Sequence, residues 1–262
     1  MSQHSRGSSH QLLRWIHKER DAFVRDLINL INIPEVKITA NDWWRPDCTI
    51  DGGLYPEEVT TEGISDNIGI LPEDYKKKIK EWWLKHHKGA NTPNWDFISS
   101  ANIEGTKGLL IIEAKSHKNE IHKDGKILKD GSSKNSKENH IRIFKAIEEA
   151  KNGLSKNYNL YNFNLSIGNY YQLSNRIAYA WKFATLGIPI ILIYLGFIKD
   201  IEMSDAGEPF DSPEDWNEFI KRHIKDIFPV ELLERKINCG KGFFYFLVRS
   251  KEIENISQRE VF

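Results

Sequence analysis

Four consecutive apolar residues, Leu109-Leu110-Ile111-Ile112, restrict the fold of this chain more than any other feature of its sequence. The side chains of a strand alternate between two faces, so an unbroken apolar run predicts a strand covered on both faces. A second run, at residues 190–197, follows a segment with helical periodicity and predicts another buried strand, parallel to its neighbour. The sequence therefore predicts an α/β protein with a mixed central β-sheet flanked by helices.

Turn residues and apolar periodicity divide the rest of the chain into further elements. Residues 94–103 and 108–117 are predicted strands, and the short turn that begins at Glu104-Gly105 joins them as an antiparallel hairpin. Helical spacing predicts helices at residues 12–31, 72–88, 138–154, 169–186 and 212–227. The pattern also predicts an aromatic-rich strand at 242–249, irregular structure at 41–71, and a polar loop or small hairpin at 117–139.

Composition and length fit a single globular domain. The chain has 262 residues, of which 40% are hydrophobic, enough to bury a substantial core. Lys plus Arg and Asp plus Glu number 37 each, so binding of a polyanion must depend on local groups of cations. Cys48 and Cys239 lie far apart in the sequence, which excludes a zinc knuckle and argues against a disulfide framework.

No segment of the sequence is typical of secretion or membrane insertion. Residues 1–10 are polar and rich in serine, without the apolar stretch of a signal peptide. The longest apolar run, at residues 188–198, has about half of the roughly 20 residues that cross a bilayer. These features predict a soluble, cytoplasmic protein with no membrane partner.

An acid, a second acid and a lysine are expected to meet at the end of the predicted hairpin. Asp96 is followed by sixteen intervening residues and then by Glu113-Ala114-Lys115. Neighbouring antiparallel strands would bring Asp96, near the start of one strand, beside the end of the other. Because side chains alternate along a strand, Glu113 and Lys115 project from the same face.

These residue types suit the hydrolysis of a phosphodiester. Mg²⁺ prefers hard oxygen ligands such as the carboxylates of Asp96 and Glu113, and the carbonyl of Ala114 is a further candidate ligand. Such an ion neutralises a scissile phosphate and activates a bound water, which Lys115 would orient or deprotonate. Lys115 would otherwise stabilise the transition state. Mn²⁺ favours similar ligands and is expected to substitute for Mg²⁺.

The pattern D-(x16)-E-x-K on a hairpin resembles the PD-(D/E)xK, or restriction endonuclease-like, nuclease superfamily, which includes type II restriction enzymes, RecB-like nucleases and resolvases. The resemblance implies an αβββαβ core, magnesium held by two carboxylates, and DNA hydrolysis. It makes Asp96 the first acid, Glu113 the second and Lys115 the lysine of the motif. The chain departs from the pattern where Trp95 replaces the usual proline, and the usual first strand is not evident before Asp96.

Residues on either side of the hairpin extend the resemblance. Glu81 lies on the preceding predicted helix, where many relatives contribute an additional acidic metal ligand. Gln172 on the helix at 169–186 resembles the glutamine of the RecB-like branch, although Arg176 stands where a tyrosine is expected. The string Asn175-Arg176-Ile177-Ala178 and the strand at 190–197 also resemble an uncharacterised bacterial family of such nucleases.

Other interpretations of these residues stay open at this point. Glu113 and Lys115 are otherwise solvated residues at a strand end, although charges on an internal strand are costly without a role. Asp47, directly after Pro46, is a rival for the first acid. His117 and His122 form an isolated pair, which is more often incidental than metal-binding.

Several cations are candidates for phosphate contacts, which would make binding sensitive to salt. They are Arg176, Lys118 in the polar loop, and Lys88 at the end of the lysine-rich helix at 72–88. The alternative for the basic helix is an ordinary solvated face.

The sequence therefore predicts a Mg²⁺-dependent deoxyribonuclease of the restriction endonuclease type. The resemblance covers about residues 73–198, the predicted core of one domain with elaborations at 11–72 and 199–262. DNA is favoured over RNA, and a homodimer is possible because many relatives dimerise to cut both strands. The alternatives are a RecB-like exonuclease, a structure-specific nuclease, and a catalytically silent nucleic-acid-binding module of the same fold. A sequence-specific enzyme needs an element that reads base edges, for which the helix near 213–227 and residues 1–70 are candidates.

Overall fold

The computed structural model describes residues 6–46 and 59–253, in which helices cover a central seven-stranded sheet. The helices are α1 (Ser8–Ile16), α2 (Arg20–Ile31), α3 (Glu73–Trp83), α4 (Lys134–Asn157), α5 (Tyr171–Thr185) and α6 (Pro213–Ile224). The strands are β1 (Val36–Lys37), β2 (Trp44–Arg45), β3 (Phe97–Ile103), β4 (Thr106–Lys115), β5 (Ile190–Ile198), β6 (Lys236–Cys239) and β7 (Gly242–Glu252).

The sheet is mixed, as the sequence predicts, and its strand order is β1-β3-β4-β5-β7-β6. Strands β3 and β4 form the predicted antiparallel hairpin, in which Phe97 pairs with Ile112. Strand β5 follows helix α5 and runs parallel to β4 on its other side, with Tyr194 level with Glu113. Strand β4 therefore joins the antiparallel half of the sheet to its parallel half.

Strand β4 is covered on both faces because its apolar side chains alternate between two cores. Leu109 and Ile111 pack in the larger core, together with side chains from α3, α4, α5 and α6. Leu110 and Ile112 pack in the second core, which α1 and α2 close. All four residues are 0% exposed, and this confirms the prediction of a strand buried on both sides.

The predicted single helix at residues 12–31 is wrong, because the chain forms two helices there. Helix α1 ends at Ile16, and α2 begins after Glu19. The Glu19 carboxylate accepts hydrogen bonds from the main-chain N–H groups of Asp21 and Ala22 at 3.0 and 2.9 Å, which caps the new helix. Apolar residues of both helices enter the same core, so the apolar spacing continues across the break.

The predicted helix at 72–88 ends at Trp83 instead, because Leu84 is extended. The carboxamide oxygen of Asn139, on helix α4, accepts hydrogen bonds from the N–H groups of Lys85 and His86 at 2.9 and 2.7 Å. A side chain from a distant helix thus replaces the bonds that another helical turn would have supplied. The basic residues 85–88 consequently do not continue the face of α3.

Three short strands, β1, β2 and β6, have no counterpart among the predicted elements. Strands β1 and β2 have two residues each, too few to show an alternating pattern, and both pair with β3. Strand β2 lies in the stretch at 41–71 that the sequence predicts to be irregular. Residues 47–58 of that stretch, including Asp47 and Cys48, lie outside the described residues.

The remaining predicted elements are present. Helices α4, α5 and α6 and strands β5 and β7 overlap the segments predicted for them, and Ser212 caps α6 by accepting from Asp215 N at 3.2 Å. The polar segment after β4 forms a short 3₁₀ turn at Lys118–Glu120 and then an irregular path to α4. Within residues 6–46 and 59–253, no helix combines the length and the apolar character that a membrane span requires.

Candidate active site

The β3–β4 hairpin brings Asp96 beside the end of β4, as the sequence predicts. Asp96 immediately precedes β3, and the pairing of Phe97 with Ile112 places it level with Glu113. The main-chain N–H of Ala114 donates to Asp96 Oδ2 at 2.8 Å and holds this carboxylate against β4. Two carboxylates therefore lie together where the buried strand ends.

Glu113 is the centre of the cluster, and only 2% of its surface is exposed. Its Oε1 accepts hydrogen bonds from Lys115 Nζ at 2.7 Å and from Gln172 Nε2 at 2.8 Å. Its Oε2 accepts from Arg176 Nε at 2.7 Å. Gln172 and Arg176 reach the same carboxylate because residues four apart lie on one face of α5. Three donors from β4 and α5 thus fix the orientation of Glu113.

Arg176 is a buried cation with contacts on several sides. Its Nη1 donates to Asn175 Oδ1 at 2.8 Å, and its guanidinium lies over the ring of Trp95, 4.8 Å from the centroid. The ion pair between Arg176 and Glu113 is shielded from solvent, since their side chains are 8% and 2% exposed. The structure therefore places Arg176 where it positions Glu113, and its predicted contact with phosphate stays a prediction.

The charges of the cluster shift its pKa values in different directions. Burial, and then the proximity of Glu113, raises the pKa of Asp96 to about 7. Burial alone would raise the pKa of Glu113 as well, but Arg176 and Lys115 outweigh it and lower that pKa. Burial would lower the pKa of Lys115, but Glu113 and Asp96 outweigh it and raise that pKa. Lys115 is thus a protonated donor at neutral pH, and Asp96 is the acid whose charge is least compensated.

The cluster opens into a cleft of about 690 Å³. Asp96, Glu113, Lys115, Gln172 and Arg176 all line it, so five of the residues selected from the sequence lie on one surface. The other lining residues come from four separate segments of the chain: Ser8, Ser9, Asn94, Ala114, Glu120, His122, Asp124, Tyr171 and Asn175. The cleft gives a ligand access to an otherwise buried group of charges.

Three predicted site residues do not line the cleft. Glu81 lies on the exposed face of α3, where its main-chain oxygen accepts a hydrogen bond from Arg142. Lys88 is exposed beyond the end of that helix, because the helix stops before the basic run does. Lys118 pairs with Glu208 and, at 3.4 Å, with Asp215, and these acids already neutralise it.

Glu120 and Asp124 bring two further carboxylates into the cleft that the sequence pattern does not select. Glu120 turns back towards β4 because its Oε2 accepts from the main-chain N–H of Ser116 at 2.7 Å. Its Oε1 accepts from Ser8 Oγ at 3.2 Å, which attaches the start of α1 to the cleft wall. No sequence spacing connects these positions, since only tertiary packing brings them together. His117 Nε2 lies 3.6 Å from Glu120 Oε1.

The oxygen atoms of this site that could hold a divalent cation belong to Asp96, Glu113 and Ala114. A carboxylate offers about four lone-pair sites, and three of those on Glu113 accept the hydrogen bonds described above. Asp96, whose pKa is raised by burial and by the neighbouring Glu113, offers a second carboxylate, and Ala114, which also lines the cleft, has a main-chain carbonyl oxygen. In residues 6–46 and 59–253, no group of three or more His, Cys, Asp or Glu side chains is arranged to hold a metal. A metal ion at this site would be held by two carboxylates and a main-chain oxygen.

Sequence and structure comparisons add no relative to this description. The chain matches no protein-family model, no curated protein and no solved structure. Its function is therefore inferred from the residues of the cleft.

Proposed function

We propose that this protein is a metal-dependent nuclease that hydrolyses phosphodiester bonds of DNA. The observation that carries the proposal is the meeting of Asp96, Glu113 and Lys115 in an open cleft at the end of a buried strand. Buried charges are costly. The four charged side chains of Asp96, Glu113, Lys115 and Arg176, which open to solvent together, are therefore better explained by chemistry than by stability.

The order of elements supports a restriction endonuclease-like core. Helix α2, strands β1, β3 and β4, helix α5 and strand β5 occur in the αβββαβ order, with β2, α3 and α4 as insertions. This core begins before residue 73, earlier than the sequence resemblance suggests. Gln172 and Arg176 on α5 then act as the positioning residues of Glu113.

The charges of the site assign different roles to its residues. Asp96, Glu113 and the carbonyl of Ala114 would hold Mg²⁺ or Mn²⁺. When bound, the ion neutralises the scissile phosphate and lowers the pKa of a water molecule. Because Lys115 remains protonated, it orients the attacking water or donates to a phosphate oxygen, and does not serve as the base.

The restriction type and the homodimer stay predictions. Helix α6, a candidate for reading base edges, buries Trp216, Ile220 and Ile224 and does not line the cleft. An exonuclease or a structure-specific nuclease is the second candidate, because such an enzyme needs no base-reading helix beside its site. A silent module has no need for a lysine and two carboxylates at one cleft. Light scattering on the purified protein tests dimerisation.

Cleavage assays with a matched pair of acidic variants test the proposal. Supercoiled plasmid, single-stranded DNA and RNA are incubated with wild type, Glu113→Gln and Glu81→Gln in Mg²⁺ or Mn²⁺. We expect wild type and Glu81→Gln to cut DNA equally, and Glu113→Gln to be slower by about 100-fold or more, since a positioned metal ligand is lost. Equal cutting by Glu113→Gln would show that the proposed site is not the catalytic one.

A further inference from the structure

Tyr171 and Lys126 form a small surface beside the cleft that takes no part in the roles assigned above. Tyr171 is the first residue of α5, next to Gln172; it lines the cleft and is partly exposed. Lys126 Nζ lies over this ring, 5.1 Å from the centroid. A partly exposed aromatic ring combined with a cation is the usual platform for a base and a phosphate of a single nucleic acid strand.

Lys126 differs from Lys118, the lysine selected from the same loop, in having no acidic partner. Lys118 is neutralised by Glu208 and Asp215. No ion pair joins Lys126 to any carboxylate of the described residues, and partial burial lowers its pKa without an acid to offset the effect. A phosphate beside Lys126 would supply the missing counter-ion.

The position of Lys126 relative to Tyr171 is fixed by the main chain. The N–H of Lys126 donates to the carbonyl of Ile167 at 2.8 Å, and the N–H of Tyr171 donates to the carbonyl of Asp124 at 3.1 Å. The loop segment and the start of α5 are therefore joined as a short ladder. A ligand that bound the ring and the ammonium group together would find both already in place, which lowers the entropic cost of binding.

We propose that Tyr171 and Lys126 bind one nucleotide of a single DNA strand next to the scissile phosphate, with the base on the ring and a phosphate on the ammonium group. This subsite rests on the proposed nuclease function and specifies its substrate. A base inside a duplex is stacked on both faces, so only an unpaired nucleotide can use the ring. The substrate class is single-stranded DNA, including the unpaired strand of a flap or a frayed end.

Metal-free binding measurements separate this subsite from catalysis. Fluorescence anisotropy in EDTA compares labelled oligothymidylate, an abasic strand of equal length and a blunt duplex. We expect Tyr171→Leu to weaken oligothymidylate binding by about 5- to 100-fold, and Tyr171→Phe to stay within about twofold of wild type, because the ring supplies the stacking. Binding of the abasic strand should be the same for all three proteins.

The lysine is tested with a control from the same loop. Lys126→Gln should make the dependence of log K on log salt less steep by about 0.7, as expected when one contact to a single strand is lost. Lys129→Gln removes an exposed charge three positions along the loop and should leave that slope unchanged. Because both lysines lie at the surface, the pair remains informative even if Tyr171→Leu fails to fold.

The outcomes of these binding and cleavage measurements distinguish an error in the subsite from an error in the nuclease function. If wild type cleaves DNA but Tyr171→Leu binds oligothymidylate as tightly as wild type does, the subsite is wrong and the nuclease function stands. Equal affinity of wild type for the blunt duplex and the single strand would also overturn the subsite. If oligouridylate binds as tightly as oligothymidylate, the restriction to DNA is wrong. Wild type that neither binds nor cuts any DNA overturns the nuclease function and the subsite together.

Discussion

Lys115 remains positively charged although its side chain is almost completely buried, because two carboxylates lie beside its ammonium group. Its ammonium group lies 2.7 Å from Glu113 Oε1, and its side chain is 7% exposed. A buried lysine without such partners would lose its proton near neutral pH. The ammonium group of Lys115 is therefore a fixed hydrogen-bond donor at the cleft. Such a donor would stabilise a transition state in which negative charge develops.

Removing this donor should affect the chemical step more than metal binding. We expect Lys115→Gln to lower the single-turnover rate of DNA cleavage by about 100-fold or more. Mn²⁺ affinity, measured by calorimetry, should be unchanged or tighter, because a cation that repels the metal is gone. Lys107→Gln, an exposed lysine on the same strand, is the control and should keep the wild-type rate. A full rate in Lys115→Gln would contradict the assigned role.

Asp96 should make the metal-free protein less stable as the pH rises. Its pKa in the folded protein, about 7, lies above the ordinary value of 3.8, so between these values the folded state binds more protons than the unfolded state. The stability that depends on its protonation is complete below the lower value and is lost as the pH rises through the upper one. Because Asp96 is only partly buried, we expect a loss of about 2 kcal/mol.

Thermal unfolding in EDTA at several pH values measures this contribution. Asp96→Asn cannot ionise, so its Tm should equal that of wild type at about pH 3.5 and exceed it increasingly as the pH rises to about 8. Asp124→Asn changes an exposed acid of the same cleft and should follow wild type throughout. Parallel curves for wild type and Asp96→Asn would show that the pKa of Asp96 is not raised.

At the scale of elements, two glycines allow the loop after β4 to approach the start of α5. A Cβ on Gly125 would lie 2.3 Å from the main-chain oxygen of Gly168, whereas a Cβ on Gly168 would meet nothing closer than 3.5 Å. The two positions face each other but tolerate a methyl group very differently. Gly125→Ala would have to push apart the segments that carry Lys126 and Tyr171.

This asymmetry predicts opposite outcomes for two alanine substitutions. Gly125→Ala should lower the free energy of unfolding by about 1–3 kcal/mol and weaken binding of single-stranded DNA, because two main-chain segments must separate. Gly168→Ala should stay within about 0.5 kcal/mol of wild type. Urea unfolding and anisotropy measure the two effects. Similar behaviour of both variants would mean that the loop is not held by this close approach.

The helices and strands that the sequence predicts correctly are those whose boundaries depend on residues within the element itself. The apolar run of β4 and the turn at Glu104-Gly105 predict the hairpin and therefore the contact between Asp96 and Glu113. Helix α3 is different, because its end depends on Asn139 of another helix. The local apolar periodicity of a segment does not show that a residue distant in sequence will end its helix.

The same distinction applies to the site residues. Glu113 and Lys115 are two residues apart on one strand, so their shared face follows from alternation. Gln172 and Arg176 are recognisable as one helical face, but their common target, Glu113, is known only once α5 packs on the sheet. The sequence makes Lys118 a candidate for a phosphate contact because its partner Glu208 lies in a distant segment and leaves no local pattern.

At the scale of the whole molecule, charge offers little long-range attraction to DNA. Lys plus Arg and Asp plus Glu are equal at 37 each, and the cleft also contains the acids Glu120 and Asp124. Under the proposed function, attraction to DNA therefore depends on short-range contacts with Lys115 and Lys126, because Arg176 is already paired with Glu113. Recognition of this kind depends on the fit of one strand in the cleft more than on a basic surface.

A weak dependence of binding on salt follows from this balance. Two phosphate contacts to a single strand predict a slope of log K against log salt of about −1.4. Lys118→Gln should leave the slope unchanged, since Glu208 and Asp215 neutralise that lysine, whereas Lys126→Gln should reduce it. Anisotropy titrations in EDTA over a range of NaCl concentrations give these slopes. A slope steeper than about −5 would mean that many more cations contact DNA, and the binding surface would then extend far beyond the cleft.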